Sequence, residues 1–163
     1  MSDKSCEELV GKSVPWFARE SSRGRIVARD ASGQTPRVLI FCPSPETAGG
    51  REYLRAMERD RETYARLYAE VVIVAAGEYP SDSPFAVIAD APDLFQAFGF
   101  ADEEGNPLAG VAVVDRYGEV DACYAGVDFG ALPGEEIVVR RLEGAEAQCP
   151  ECGVPEARWL EVS

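Results

Sequence analysis

The chain is predicted to be a single α/β domain: a central mixed β-sheet flanked by helices, with a short cysteine-bearing tail behind it. Two unbroken apolar runs, Arg37-Val38-Leu39-Ile40-Phe41-Cys42 and Val71-Val72-Ile73-Val74-Ala75-Ala76, have the composition of strands covered on both faces. A long amphipathic stretch lies between them, and strand, helix, strand in that order calls for a right-handed parallel crossover. Later in the chain, Arg116-Tyr117-Gly118 separates two β-rich runs, a hairpin signal that adds antiparallel strands to the same sheet. With 163 residues the chain is long enough to bury a core as one domain.

The elements follow in order. Val14-Pro15-Trp16-Phe17 is expected to open the ordered part, leaving Cys6 in a mobile N-terminus. Gly24 to Asp30 alternates like a strand that runs into a hairpin turn at Ala31-Ser32-Gly33. The run 37–42 is the central strand. From about Gly50 to Glu70, Leu54, Met57, Tyr64, Leu67 and Tyr68 recur at helical intervals and predict one long amphipathic helix. The run 71–76 is the next strand. A short helix over 91–99 carries Leu94, Phe95 and Phe98 and ends at Gly99. The hairpin pairs 111–115 with 119–124, Cys123 falling on the core face. A last helix covers roughly 134–148. The domain is therefore placed at 1–145 and the tail at 146–163.

Net charge is −13, and residues 67–163 hold 19 acidic side chains against 4 basic ones. Such a surface repels phosphate, which argues against nucleic acid and anionic membrane as partners. No run approaches the roughly 18 apolar residues of a membrane span. The polar, acidic start of the chain has none of the order of an export signal, so a cytoplasmic location is expected. There is no histidine. Catalytic triads with histidine, HExxH centres and mixed Cys/His zinc sites are thereby excluded. The five cysteines are Cys6, Cys42, Cys123, Cys149 and Cys152, an odd number that does not form a disulfide framework.

The segment Phe41-Cys42-Pro43-Ser44-Pro45-Glu46-Thr47-Ala48-Gly49-Gly50 resembles the active-site segment of peroxiredoxins of the thiol-specific antioxidant, or bacterioferritin-comigratory, type, where a strand ending in Phe runs into P-x-x-x-T-P-G-C. Val10-Gly11-Lys12-Ser13-Val14-Pro15-Trp16-Phe17 is similar to that family's opening G-x-x-x-P-x-F. Ala86-Val87-Ile88-Ala89-Asp90 resembles its strand ending in Asp, and Val113-Val114-Asp115-Arg116-Tyr117-Gly118 its I-D-x-x-G hairpin. The similarity spans roughly residues 8–145 and implies a thioredoxin-like fold. It also implies peroxide reduction, in which a thiolate at a helix N-terminus, steadied by an Arg, attacks the peroxide oxygen. Carried over position by position, Pro43 and Thr47 match, but Gly50 stands where the attacking cysteine belongs and Ala109 where the Arg belongs. Ordinary peroxide reduction is therefore not expected. Cys42, at the end of a central strand, is expected to lie away from the helix N-terminus and to be a core residue. A thioredoxin register fails as well, since it would place the two thiols at Glu46 and Gly49.

The second signal is Gln148-Cys149-Pro150-Glu151-Cys152-Gly153, which resembles a zinc knuckle. It supplies two ligands of the four a structural zinc needs. A second copy at a dimer axis, or Cys6 with a carboxylate, would complete the set. A redox dithiol is the competing reading and an unligated turn the third. Trp159 in the tail points to docking on the body or on a second copy. Two functions stay open: a binding or oligomerising module, expected as a homodimer, with the CxxC as metal or interface element; or a thiol-disulfide oxidoreductase using Cys149 and Cys152, with Cys42 as the secondary candidate.

Overall fold

The structure, a computed structural model, describes residues 5–28 and 35–146. Strands β1 (Ala18–Ser21) and β2 (Gly24–Val27) form a separate hairpin. The main sheet has the order β5-β4-β3-β6-β7, built from β3 (Arg37–Cys42), β4 (Glu70–Ala75), β5 (Ala86–Ile88), β6 (Ala109–Val114) and β7 (Val120–Gly126). β3, β4 and β5 are parallel, β6 runs antiparallel to β3 and β7 antiparallel to β6. The apolar run expected to be central is central. Both faces of β3 are buried because the two-residue period sends Val38, Ile40 and Cys42 to one layer and Leu39 and Phe41 to the other.

On the first face lie helix α1 (Gly50–Arg59), helix α2 (Arg61–Arg66) and helix α4 (Glu135–Glu146), which bury Leu54, Met57, Tyr64, Val138 and Leu142. On the second lie helix α3 (Pro92–Ala97), the β1–β2 hairpin and a 3₁₀ turn, Cys6–Leu9. Phe41 is the centre of this second layer, with the rings of Phe95, Phe98 and Phe100 at 5.0, 5.0 and 4.5 Å. Phe100 reaches it by lying flat over Gly110, where a Cβ would come within 2.2 Å of the ring. The hairpin covers the open edge of β5, Ser22 N–H donating to Val87 O and Val87 N–H to the Ser22 hydroxyl. A covered edge has no free ladder to offer another chain.

Three expectations are corrected. The hairpin lies upstream of the position assigned to it: its turn is Ser22-Arg23, closed by the Ser21 hydroxyl, which donates to Gly24 O and accepts from Arg23 N–H. Residues 31–33 lie outside the described residues. The long helix is two helices broken at Asp60, and Leu67 and Tyr68 are not part of it. The chain must reverse to enter β4, and it does so with a Schellman closure in which Ala69 N–H donates to Tyr64 O and Tyr68 N–H to Ala65 O. Tyr68 takes the left-handed conformation usually left to Gly, at φ 57°, and is exposed. Cys6, expected in a mobile N-terminus, is buried at 1% exposure. Its segment is pressed so closely on Gly99 that a Cβ there would lie 2.5 Å from Cys6 N. The 111–124 hairpin is as expected, its turn held by Asp115, whose buried carboxylate accepts from Tyr117 N–H and Glu119 N–H.

The break at Asp60 has an electrostatic consequence. Glu135, at the start of α4, hydrogen-bonds to Asp60, and its pKa is pushed up to about 7 by burial first and then by that bond and the Asp60 charge. Its Oε1 and the Tyr64 hydroxyl are buried without hydrogen-bond partners. An acid whose folded pKa is raised is protonated in the fold while already ionised in the unfolded chain. The folded state therefore holds the extra proton between about pH 4.5 and 7, and stability falls as pH rises through that window. Glu135→Gln is expected to flatten this slope in urea titrations run from pH 5 to 8, and to leave the variant the more stable of the two at the upper end. An unchanged slope would remove Glu135 as its source.

Candidate functional site

The site is built by the turn between β3 and α1. After Cys42, the 43–49 segment folds on itself: Ser44 N–H donates to the Thr47 hydroxyl at 3.1 Å, Thr47 N–H to Ser44 O at 3.1 Å, and Glu46 N–H to the Ser44 hydroxyl. Two prolines, Pro43 and Pro45, limit the backbone of this turn. Gly49 then adopts φ 77°, a conformation other residues rarely take, and a Cβ there would stand 3.2 Å from the Phe129 Cβ. That glycine sets the direction in which α1 begins, with Gly50 as its first residue.

Gly50 is buried. The space a side chain at 50 would enter is bounded by the Phe129 ring at 3.4 Å and the Cys42 Sγ at 3.5 Å from an ideal Cβ. Phe129 belongs to a second 3₁₀ turn, Phe129–Ala131, fastened to the site by Phe129 N–H donating to Ala48 O. Its ring also meets Tyr53 at 5.1 Å, and the Tyr53 hydroxyl donates to Pro133 O.

The position of Cys42 is the principal correction at this site. The thiol was expected to point away from the helix N-terminus, yet the 3.5 Å separation puts it beside the first turn of α1. The direction of the last β3 side chain, toward the layer that α1 occupies, decides this; the strand sequence alone does not report which layer carries the helix. The thiol donates to Ser44 O at 3.1 Å, and the Tyr79 and Thr47 hydroxyls also interact with it. Burial nevertheless pushes its pKa above the usual range, outweighing the three hydrogen bonds, and the one charge acting on it, Glu46, works in the same upward direction. No cation is among these influences. Burial likewise raises Tyr79, with the nearby Cys42 adding to it.

Ala109, at the start of β6, is fully buried. The β3–β6 register ends at Phe41 opposite Gly110, so Ala109 follows beside Cys42 in the same apolar layer. Pro43, Thr47, Gly50, Ala109 and Cys42 are thus brought together in one place. Cys149 and Cys152 lie outside the described residues, and with them the zinc or redox reading of the tail. Among the described residues no group of three or more Cys, Asp or Glu side chains is arranged to hold a metal ion.

Sequence reasoning missed two contributors to the site, Tyr79 and Phe129. Both come from loops distant in sequence, and neither carries a local signal. Tyr79 also lines an open cleft of about 720 Å³ at the carboxyl ends of β3, β4 and β5, together with Pro43, Ser44, Glu46, Glu78 and Asp90.

A five-stranded mixed sheet with helices on both faces, and a turn after the central strand that presents a helix N-terminus, make a thioredoxin-like fold of the kind found in peroxiredoxins. Comparison with solved structures bears this out. The chain superposes on the reduced 2-Cys peroxiredoxin of Plasmodium vivax with a TM-score of 0.70 at 13% identity, covering 83% of this chain and 80% of that one. It superposes on the mitochondrial 2-Cys peroxiredoxin of Plasmodium falciparum with a TM-score of 0.69 at 15% identity, over 83% and 93% of the two chains. With a mutant of the peroxiredoxin 6 of Arenicola marina the TM-score is 0.66 at 16% identity, over 82% and 71%. No family model and no curated protein matches the sequence. The protein is peroxiredoxin-like in fold. Among the described residues no helix is long and apolar enough to cross a membrane.

Proposed function

We propose that this peroxiredoxin-like protein does not reduce peroxides and that the fold serves as a binding or oligomerising module. The observation that carries the reading is the composition of the position-50 site: a buried glycine where a thiolate would be needed, closed over by Phe129, beside a Cys42 thiol that burial keeps protonated and no cation activates. Thiolate attack on a peroxide consumes the ionised form, so a raised thiol pKa removes the nucleophile at neutral pH. The face available for binding is the cleft at the carboxyl ends of the parallel strands, the place where open α/β sheets commonly take ligands. Association into a homodimer is supported by Trp16, 61% exposed beside the segment that pairs with the 115–119 turn.

The test is peroxide consumption by the purified full chain, with hydrogen peroxide and an alkyl hydroperoxide, and dithiothreitol as reductant. No rate above buffer is expected. Turnover that disappears in Cys42→Ser would overturn the proposal and make Cys42 a relocated nucleophile. The second reading, thiol exchange at Cys149 and Cys152, rests on the Cys-Pro-Glu-Cys-Gly pattern, which in the first reading is a zinc or interface element. Elemental analysis alongside a thiol count separates the two: bound zinc marks a structural site coupled to folding, and two thiols that appear only after reduction mark a redox pair.

A further inference from the structure

Far from the position-50 site, two cysteines 117 positions apart in the chain are side by side. Cys6 in the N-terminal 3₁₀ turn and Cys123 on β7 are 1% and 6% exposed, and both are free thiols. The 3₁₀ turn that carries Cys6 packs on β7, both side chains belong to the same buried apolar layer, and the two thiols are near enough to influence each other. Several contacts hold them in that relation. The chain after Cys6 runs along the β6–β7 hairpin, with Gly11 N–H donating to Val120 O at 2.8 Å, Val120 N–H to Lys12 O at 2.9 Å and Val14 N–H to Gly118 O at 2.7 Å. Behind Cys6, the missing side chain of Gly99 lets its backbone sit closer than any Cβ would permit. Cys6 also borders an open cleft with Ser5, Glu7, Gln96 and Leu108, which leaves room for a small molecule to meet its thiol once the turn lifts.

We propose that Cys6 and Cys123 form a reversible disulfide, a redox clip that fastens the N-terminal segment to β7. The oxidant class is a low-molecular-weight disulfide. The Cys6 thiolate attacks one sulfur of R–S–S–R, forming a mixed disulfide and releasing one RS⁻. Cys123, having given up its proton, then attacks the Cys6 sulfur and displaces the second RS⁻, which is protonated in solution. Two protein thiols are oxidised and one external disulfide is reduced to two thiols. The exchange requires Cys6 to lift briefly from its seat. Its segment is suited to this, because Cys6–Leu9 is a single turn held by its own short-range bonds, Glu8 N–H to Ser5 O and Val10 N–H to Glu7 O, whereas the bonds to the hairpin quoted above start at Gly11. In the reduced state the neighbouring Cys6 and then burial raise the pKa of the Cys123 thiol, which disfavours its reaction while the turn is seated.

The experiment uses the full chain carrying Cys149→Ser and Cys152→Ser, so that only Cys6, Cys42 and Cys123 report, treated with oxidised glutathione and mapped by non-reducing mass spectrometry. A Cys6–Cys123 peptide and a loss of two thiols are expected, with Cys42 still alkylated after denaturation. The melting midpoint should rise by roughly 5–15 °C, since the bridge closes most of the chain into one loop, and should return on adding dithiothreitol. Adding Cys6→Ser should abolish the rise, and as a change near the chain end it also serves where Cys123→Ser does not fold. A thiol count unchanged by oxidation, a bridge to Cys42, a stable glutathione adduct on Cys6, or a Cys6–Cys123 bridge with no rise in midpoint would each overturn the proposal.

Discussion

Phe41→Ala is expected to destabilise the protein by about 3–5 kcal/mol, the largest effect of any single truncation in this core. Phe41 is fully buried in the central strand and meets three other rings, Phe95 edge-on and Phe98 and Phe100 at a tilt. Its neighbours come from α3 and from the loop that leads into β6, so a void there is shared by segments that cannot all close in at once. Aromatic pairs of this kind add roughly 0.5–1.5 kcal/mol each beyond the area they bury, though not additively. For a domain of this size about 4 kcal/mol corresponds to a fall in melting midpoint of roughly 8–16 °C. Thermal unfolding followed by circular dichroism measures it, with Val127→Ala as a surface control expected to stay within about 0.5 kcal/mol. A loss below about 1 kcal/mol would mean that the aromatic layer repacks and that Phe41 does not organise it.

Gly50→Cys is expected to create a reactive thiol and only weak peroxide consumption. The substitution fits, because the new Cβ meets the Phe129 ring and the Cys42 sulfur at ordinary contact distances and residue 50 has no positive φ. The introduced thiol lies in the first turn of a ten-residue helix, where unpaired N–H groups and the helix dipole favour thiolate. What it lacks is the Arg that the resemblance places at position 109: Ala109 carries no charge, and the influences on the adjacent Cys42 include no cation. A nearby opposite charge shifts an ionisable group by about 1–3 pKa units, so its absence costs roughly tenfold or more in thiolate and leaves the transition state without its counter-charge. Iodoacetamide alkylation across pH reads the thiol pKa and a peroxide assay reads turnover. A full peroxidase rate from this one change would show that the missing Arg matters little. A folded variant whose new thiol is inert would show that position 50 is not where the nucleophile belongs.

Which parts of this were legible in the sequence follows from the range of the interactions involved. The apolar runs of β3 and β4, the 91–99 helix and the Asp115 turn are written locally, in two-residue or 3.6-residue periods and in a Gly-bearing turn, and all appear where the periods place them. The helix break at Asp60 was hidden because the apolar spacing from Leu54 to Tyr68 continues across it. The need to re-enter the sheet at Glu70 overrides that spacing and puts Tyr68 in a left-handed closure.

At the position-50 site, the chain by itself determined the ingredients: the Pro43 to Gly50 segment that resembles a peroxiredoxin loop, the glycine at 50, the alanine at 109 and the complete lack of histidine. Those are statements of residue identity and order, and they need no coordinates. Only the tertiary structure decided that Cys42 lies against the first turn of α1, that Phe129 closes over Gly50, and that Cys6 is a buried partner of Cys123 rather than part of a loose end. Each of those pairs residues from separate elements, brought together by the choice of which face of the sheet each element covers. A side-chain period reports that a residue is buried. It carries no record of what arrives from elsewhere in the chain to bury it.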